Sequence, residues 1–582
     1  MVLRFVKAIS ILSISLSCIF LDISIVENHS YVLRRTRNSY IQDQSIVDEA
    51  MVINILRSGE QGSIVINNET GEHISRLSLS GKRILRSDAS LTNEQILEGI
   101  DTSKYKVVSQ QYLIDQALEN REKSGIGITG GGDCAGIGSF LSALYANLPQ
   151  GFTMLGIRNA GEGLSVSPEE FREKLILIDS LVASDVNDQS STPLGSSRVE
   201  PFDANEINTI ANLSGWGFFY GTGGNDHLGL LEKISKKFPD MVVIGTFKSI
   251  DGDGTISDRP AQMLGFSSAV GEYQRMIYNA AQNALTHNQF HVIETMGRGS
   301  GNLPYNAARK FPNNFDQLSA EEQRKIEDCR GGIMILVPEK SENAENNINT
   351  TLRSIVQEAM RIKQREGNVV VVVAEGFMPP EMRSEMKRLA SNEQLKKDWV
   401  DGILAVESIS GLIEVLDEDD PRLQLRQMLR DNLELAAKFA KITWESTTDP
   451  HGNIAKLAGI RDFIIQALYT VGGAEKVNEL ICCYEGRGAS PNQFDIAMGM
   501  RAGEVAASVV RDGITGGRAV VYYDLASDGP TNPLIEYPVI VPLVGVSANN
   551  DLNNAELHSD FELRRNGVFW NIEDLSRYFI GN

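Results

Sequence analysis

Residues 125–148 read GIGITGGGDCAGIGSFLSALYANL. A short apolar run, GIGIT, ends in three consecutive glycines, Gly130 to Gly132. The apolar spacing then becomes that of a helix through IGSFLSALYANL. Strand, glycine turn and helix in that order form the opening unit of a parallel α/β sheet. The same alternation continues downstream. FTMLGIR, WGFFYGT (216–222), MVVIGTF (241–247), HVIETMG, GIMILVP and VVVVVAEG each read as a strand running into a turn. The run of valines in the last predicts a strand buried on both faces, as central parallel strands are. AVGEYQRMIYNAAQNAL carries Val270, Tyr273, Met276, Ile277, Ala280, Ala281 and Ala284 at helical spacing.

The chain has 582 residues, 42% of them hydrophobic and 23% charged. That length exceeds what one core usually serves, so two or three globular domains are expected. Its formal charge of −21 opposes nucleic acid and anionic membrane over most of the surface. Anionic small substrates require a local cluster of basic groups or backbone N–H. Cys18, Cys134, Cys329, Cys482 and Cys483 contain no CxxC and suggest no disulfide framework. His287 and His291 stand at i, i+4, but without the acidic neighbour of HExxH they read as a helix end entering a strand.

The N-terminus points elsewhere. Arg4 and Lys7 precede AISILSISLSCIF, a hydrophobic leader over residues 1–26 that resembles a signal peptide or an anchor. The basic VLRRTRNSY that follows extends a targeting segment. A cytoplasmic catalytic region is favoured, with secretory, membrane-anchored and organellar addresses left open by the leader. Residues 27–122 read as a polar extension with local structure such as the helix-like LTNEQILEGI. Residues 377–470, rich in Glu, Lys, Leu and Arg, read as a helical insert. A short strand, LICCYEGR, and the helix FDIAMGMRAGEVAASVV follow.

The residues with chemistry cluster where strands end, which is where parallel sheets bind ligands. TGGGDCAG (129–136) lets backbone N–H groups approach an anion at a helix N-terminus, or is simply a tight turn. GTGGND (221–226) is a second glycine turn. FKSIDGD (247–253) places a lysine, a hydroxyl and two carboxylates together. There a carboxylate can take a proton from an attacking hydroxyl while the lysine neutralises phosphate. In ETMGRGSG (294–301), Arg298 offers a planar fork for phosphate. VAEG (373–376) carries Glu375, and CYEGRGASPNQFD (483–495) completes the series.

In this order the motifs resemble the phosphofructokinase family over residues 123–560, most closely its long pyrophosphate-dependent branch. The resemblance implies two Rossmann-like parallel-sheet domains with the active site in the cleft, besides the insert and the N-terminal extension. It places a donor domain at about 123–265 plus 488–560, a sugar-phosphate domain at about 266–487, and a tail at 561–582. It implies phosphoryl transfer to the 1-hydroxyl of fructose 6-phosphate, with Mg²⁺, in a homo-oligomer, a dimer being favoured. Asp251 matches the general base and Asp253 its companion, a candidate metal ligand. Ser249 stands where the family usually has threonine. Arg298 and Lys248 match groups at the transferred phosphoryl. Gly132 and Arg198 match donor contacts. Met296, Gly297 and Glu375 match sugar contacts, and Tyr484 and Arg487 the sugar-phosphate end.

The choice of donor follows from three places. Asp226 stands where ATP-using relatives carry glycine, and its carboxylate would repel an α-phosphate, which selects pyrophosphate. Lys248 stands where pyrophosphate users have a lysine. Gly161 in NAGEGL replaces an aromatic that stacks on adenine in short ATP-type members. Departures from the family are also present. Asn225 replaces a metal-contacting aspartate and offers Mg²⁺ only a neutral oxygen. Gln289 and Asn478 replace two arginines that short members lend to a neighbouring subunit. IDND has become IDGD, and GFDTA has become GFSSA (265–269). The alternatives are an ATP-dependent 6-phosphofructokinase, a catalytically weak regulatory homologue, and a phosphotransferase acting on a related phosphorylated sugar.

Overall fold

The computed structural model describes residues 63–67, 73–74 and 105–178, most of 192–523, and strand segments at 539–542, 546–548 and 570–571. Breaks within 192–523 include 253, 257–258, 298–299, 310–318, 339–351, 407–428, 449–453 and 483, and the side chains of Asn225 and Asp226 also lie outside it. The leader and LTNEQILEGI fall outside the described residues. The chain divides into two compact units between Gln116 and Ala117.

The first unit contains a three-stranded antiparallel sheet of β1 (Ser63–Asn67), β2 (His73–Ile74) and β3 (Tyr105–Ser109), in the order β2-β1-β3. Val65 pairs with both Ile74 and Val107. The sequence of this stretch predicts only local structure. Its two longer strands, SIVIN and YKVVS, are five residues each and distant in sequence, so neither announces the other. Helix α1 (Gln110–Glu119) follows.

The second unit is built on two sheets. Its elements begin with β4 (Ser124–Thr129), α2 (Ile137–Asn147), β5 (Thr153–Ile157), β6 (Leu175–Leu177), α3 (Pro201–Leu213), β7 (Phe218–Gly223), α4 (Asn225–Lys237) and β8 (Val242–Phe247). They continue with β9 (Gly254–Ile256), β10 (Arg259–Gln262), α5 (Phe266–His287), β11 (Phe290–Thr295), β12 (Ile333–Leu336), α6 (Leu352–Glu366) and β13 (Val369–Ala374). Helices α7 (Glu393–Leu404) and α8 (Leu433–Glu445), the hairpin of β14 (Thr447–Thr448) and β15 (Ile454–Lys456), and α9 (Ile460–Thr470) occupy the insert. Then come β16 (Val477–Cys482), α10 (Gln493–Arg511), β17 (Arg518–Tyr523), β18 (Val539–Pro542), β19 (Val546–Ala548) and β20 (Trp570–Asn571).

The first sheet runs β19-β9-β10-β17-β8-β7-β4-β5-β6, with β18 also on β17. Its centre, β5-β4-β7-β8-β17, is parallel. The second runs β16-β11-β13-β12-β20, parallel except for β20. The fold is thus mixed α/β on parallel sheets, as the strand–turn–helix pattern predicts. The alternating glycines of GIGIT have a packing reason. A Cβ on Gly125 would fall 2.1 Å from the Phe218 ring, and one on Gly127 would fall 2.4 Å from the Tyr220 ring. The strand yields its side-chain space to two aromatics of β7.

The valine strand β13 is fully buried. Val370 and Val372 face a core shared with Tyr273 and Ile277 of α5, whereas Val369, Val371 and Val373 face Ile355, Ala359 and the insert residues Phe439 and Phe463. In α5, Val270, Tyr273, Ile277, Ala280, Ala281 and Ala284 are buried and Met276 is partly so, as their spacing predicts. His287 ends that helix and His291 lies in β11, as their sequence positions suggest. Helices α2 and α10 meet through glycine. A Cβ on Gly499 would lie 2.4 Å from the Gly136 carbonyl oxygen, and one on Gly503 would lie 2.4 Å from that of Phe140. This close approach fixes the helix after the first glycine loop against the helix after Arg487.

Candidate active site

The loops leaving β4, β7 and β8 are tied together by their backbones. Gly130 N–H donates to the Thr222 carbonyl at 2.9 Å, and Lys248 N–H donates to that of Gly223 at 3.1 Å. Around the first loop, each glycine gives its side-chain space to a basic residue from elsewhere. A Cβ on Gly131 would lie 2.8 Å from Lys248 Nζ, and one on Gly132 would lie 2.7 Å from Arg487 Nη1. On Gly130 it would fall within the His227 imidazole, 1.6 Å from Nε2. Two basic side chains from two loops, Lys248 and Arg487, and the His227 imidazole from the first turn of α4 therefore converge on three glycines.

Lys248 is 5% exposed, and its Nζ donates to the Gly132 carbonyl. Burial pushes its ammonium below the usual lysine range, and Arg487 adds to that, while Asp133 and Asp251 pull the other way. Cys134 beside it is a buried thiol pushed up to about 12 by burial. At neutral pH it stays protonated and donates to the Leu264 carbonyl at 2.9 Å.

Asp251 sits in the turn after β8, reached electrostatically by Lys248. Asp251 N–H donates to Ser249 Oγ at 3.1 Å, a hydroxyl-capped turn. Gly252 has φ +67°, and the Phe266 ring lies 2.4 Å from where its Cβ would be. The turn is also held from the loop after β11. Ser300 Oγ donates to the Asp251 carbonyl at 3.2 Å, and Asn302 Nδ2 donates to that of Gly252. Thus the loop carrying Met296 and Gly297 grips the loop carrying the proposed base.

On the second sheet, Glu375 N–H donates to the Thr295 carbonyl at 2.8 Å and Gly376 N–H to that of Gly297 at 3.1 Å. These bonds extend the β11–β13 pairing and set half-buried Glu375 beside buried Met296 and Gly297. Tyr484 is 75% exposed, and the Arg487 guanidinium lies 6.0 Å from its ring centroid. Arg487 therefore touches both its own loop and Gly132 of the first loop.

Residues 192–199 close one side of the glycine loop. Asp133 Oδ1 accepts from Thr192 N–H and Oγ, both at 2.9 Å, and Ser196 Oγ accepts from Gly131 N–H at 3.0 Å. Arg198 is exposed on the same segment. At Gly161 a Cβ would lie 2.0 Å from the Val199 carbonyl oxygen, so no side chain of any size fits there.

Asp253 and Arg298, and the side chains of Asn225 and Asp226, lie outside the described residues. Among the described residues no group of three or more His, Cys, Asp and Glu could hold a metal ion. Gln289 and Asn478 are adjacent, with Asn478 Nδ2 donating to Gln289 Oε1 at 2.7 Å and lying 3.1 Å from His291 Nε2.

Several participants carry no sequence signal. His227, Ser196 and Asn302 lie outside the motifs singled out in the sequence, and Ser300 lies within ETMGRGSG without a role assigned to it there. Asp495 belongs to the quoted motif CYEGRGASPNQFD but has no role there. It is fully buried and accepts from Gly265 N–H at 3.0 Å, from Ser268 N–H at 2.8 Å and from Ser268 Oγ. Burial pushes its carboxyl up to about 6 against these bonds. The GFSSA serines are thus ligands of Asp495 and of Asn492, whose Nδ2 donates to Ser267 Oγ at 2.9 Å.

Comparison with known proteins bears on the family of the chain. The model of a family described as phosphofructokinase matches residues 125–510. A pyrophosphate–fructose 6-phosphate 1-phosphotransferase of Streptomyces coelicolor is 26% identical over 258 residues, covering 43% of this chain and 65% of that protein. An ATP-dependent 6-phosphofructokinase of Thermosynechococcus vestitus is 25% identical over 264 residues, covering 44% and 62%. The chain thus spans just under two thirds of the length of these relatives. A phosphofructokinase structure from Saccharomyces cerevisiae aligns with a TM-score of 0.47 at 16% identity, over 78% of this chain and 50% of that one.

Proposed function

The chain belongs to the phosphofructokinase family, and from that premise we propose that it transfers a phosphoryl group reversibly between pyrophosphate and the 1-hydroxyl of fructose 6-phosphate. The observation that carries the reading is the glycine loop with Lys248 and Arg487 laid on it and Asp251 within electrostatic reach. Phosphoryl transfer needs mainly positioning and charge stabilisation, which such a cluster supplies.

In this reading the backbone at Gly132, with Lys248 and Arg198, holds the donor. Asp251 accepts the proton of the attacking 1-hydroxyl, and Asp253 orients it. Arg298 stabilises charge on the phosphoryl group in flight. Met296, Gly297 and Glu375 contact the sugar, and Tyr484 and Arg487 lie towards its phosphate end. Since Arg487 also reaches Gly132, it registers the two substrates against each other. Mg²⁺ typically binds one or two carboxylates together with substrate phosphates. Asp253 and the neutral oxygen of Asn225 would hold it, and it would offset the donor's charge.

Pyrophosphate is preferred over ATP for two reasons. Asp226 would repel an α-phosphate. The Val199 carbonyl fills the space in which a residue-161 side chain would stack on a base. Relatives of both donor types match the chain, so the preference rests on these residues. Asp251→Asn tests the reaction. We expect turnover to fall by a factor of about 10³ or more, since a general base alone contributes roughly 10²–10⁴. Fructose 6-phosphate binding should stay within about twofold, the change being nearly isosteric. Near wild-type turnover would sink the assignment.

A second reading, a catalytically weak regulatory homologue, is favoured by one observation. Gln289 and Asn478 are neutral amides that offer no cation to a sugar phosphate, and they bond to each other. Measurable sugar-phosphate binding without turnover on either donor would select it.

A further inference from the structure

We propose that Ser300 and Asn302 are positioning residues that hold Asp251 in register with the sugar. The proposal rests on the reading of Asp251 as the base. Asp251 is pinned at both of its peptide groups. On one side its N–H donates to Ser249 Oγ at 3.1 Å within the same turn. On the other its carbonyl accepts from Ser300 Oγ at 3.2 Å, and the next carbonyl, that of Gly252, accepts from Asn302 Nδ2. Ser300 lies in the loop after β11, and Asn302 opens the short helix Asn302–Arg309 that follows. Two consecutive carbonyls in a loop of the first sheet are therefore held from the second sheet. The turn needs such a hold. Gly252 has φ +67°, and a glycine leaves the peptides on either side of it unusually free to rotate.

Both donors are buried, Ser300 being 2% and Asn302 4% exposed. They form one unit, because Ser300 Oγ also accepts from Asn302 N–H at 3.2 Å. Asn302 Oδ1 is buried without a hydrogen-bond partner among the described residues. An apolar side chain would avoid the cost of that oxygen, so the amide is explained by the bond its nitrogen makes to the turn. The unit also touches the sugar side. Gly297 has φ +128°, and a Cβ on it would lie 2.3 Å from the Ser300 carbonyl oxygen. The Gly297 carbonyl in turn accepts from Gly376 N–H, next to Glu375. Gly297, Ser300 and Asp251 thus form a chain of direct contacts from the sugar contacts to the base. A displacement of about 1 Å along it can cost about 10²-fold in rate.

The test is steady-state kinetics of the full-length protein with fructose 6-phosphate and pyrophosphate, paired with calorimetric binding of each substrate. Ser300→Ala and Asn302→Leu should each lower kcat about tenfold, the range of one hydrogen bond. Both dissociation constants should stay within about twofold. In an Asp251→Asn background neither substitution should lower turnover further, since no base remains to be positioned. A merely structural role would add its loss in both backgrounds. The same tenfold loss on top of Asp251→Asn would therefore overturn the proposal. Should Asn302→Leu fail to fold by circular dichroism, Ser300→Ala decides. If Asp251→Asn cripples turnover while Ser300→Ala and Asn302→Leu match the wild type, the base stands and the positioning role falls. Near wild-type turnover in Asp251→Asn, or none in the wild type with either donor, defeats both. If the wild type uses ATP instead, the donor assignment alone falls and the same variants are read with ATP.

Discussion

At the scale of single residues, the site depends on groups whose ionisation is set by burial. Asp495 is the clearest case. Its folded carboxyl lies near 6 against an ordinary value of 3.8, because burial outweighs three hydrogen bonds. The folded chain therefore binds this proton more tightly than the unfolded chain between those values. The stability it contributes is present below about 4 and is lost as pH rises to about 6, some 3 kcal/mol in order of magnitude. Chemical denaturation from pH 4 to 7 should show this decline in the wild type, and Asp495→Asn should flatten it. A slope untouched by that substitution would contradict the assignment. The donor argument also belongs to single residues. Asp226→Gly should raise the efficiency with ATP relative to pyrophosphate by tenfold or more, about 1.4 kcal/mol or above. A ratio that stays constant would remove Asp226 from donor choice.

Residue-scale legibility was uneven. Lys248, Ser249 and Asp251 share one short segment, so sequence alone brings them together. Lys248 and Gly132 are 116 residues apart, and only the pairing of β4, β7 and β8 unites them. Motif resemblance supplied Arg487 as a sugar-phosphate group, but its reach to Gly132 needed the α2–α10 contact. His227 has no such pattern. A histidine after a glycine turn is ordinary until Gly130 is seen lying under it.

At the scale of elements, close packing through glycine positions the loops. Gly503 on α10 leaves its Cβ space to the Phe140 carbonyl and the Leu144 amide of α2. Gly503→Val should therefore cost about 1–3 kcal/mol or more by overpacking. Gly271 of α5 has open space around its Cβ position. Gly271→Ala should instead stabilise by about 0.5–1 kcal/mol through helix propensity. Thermal melts of the two variants should move in opposite directions. Strands were the most legible elements, because GIGIT, MVVIGTF and the valine run have few alternatives to burial in a sheet. The sheet of β1, β2 and β3 was not legible. Short strands far apart in sequence carry little periodicity.

At the scale of the whole molecule, the second unit carries the candidate site residues at the C-terminal ends of two parallel sheets. Loops from the first sheet supply the glycine cradle, Lys248 and Asp251, and loops from the second supply Met296, Glu375, Tyr484 and Arg487. A strongly acidic chain thus brings two basic groups, Lys248 and Arg487, together on one glycine loop. No helix among the described residues is long and apolar enough to cross a membrane.

The central claim is pyrophosphate-dependent phosphoryl transfer. Its most direct test is a coupled assay on the purified full-length protein with Mg²⁺ and fructose 6-phosphate, offering pyrophosphate or ATP in parallel. The account predicts fructose 1,6-bisphosphate from pyrophosphate, at an efficiency at least tenfold above that with ATP, a gap of about 1.4 kcal/mol. Turnover with ATP while pyrophosphate stays inert, or no turnover with either donor, would contradict it.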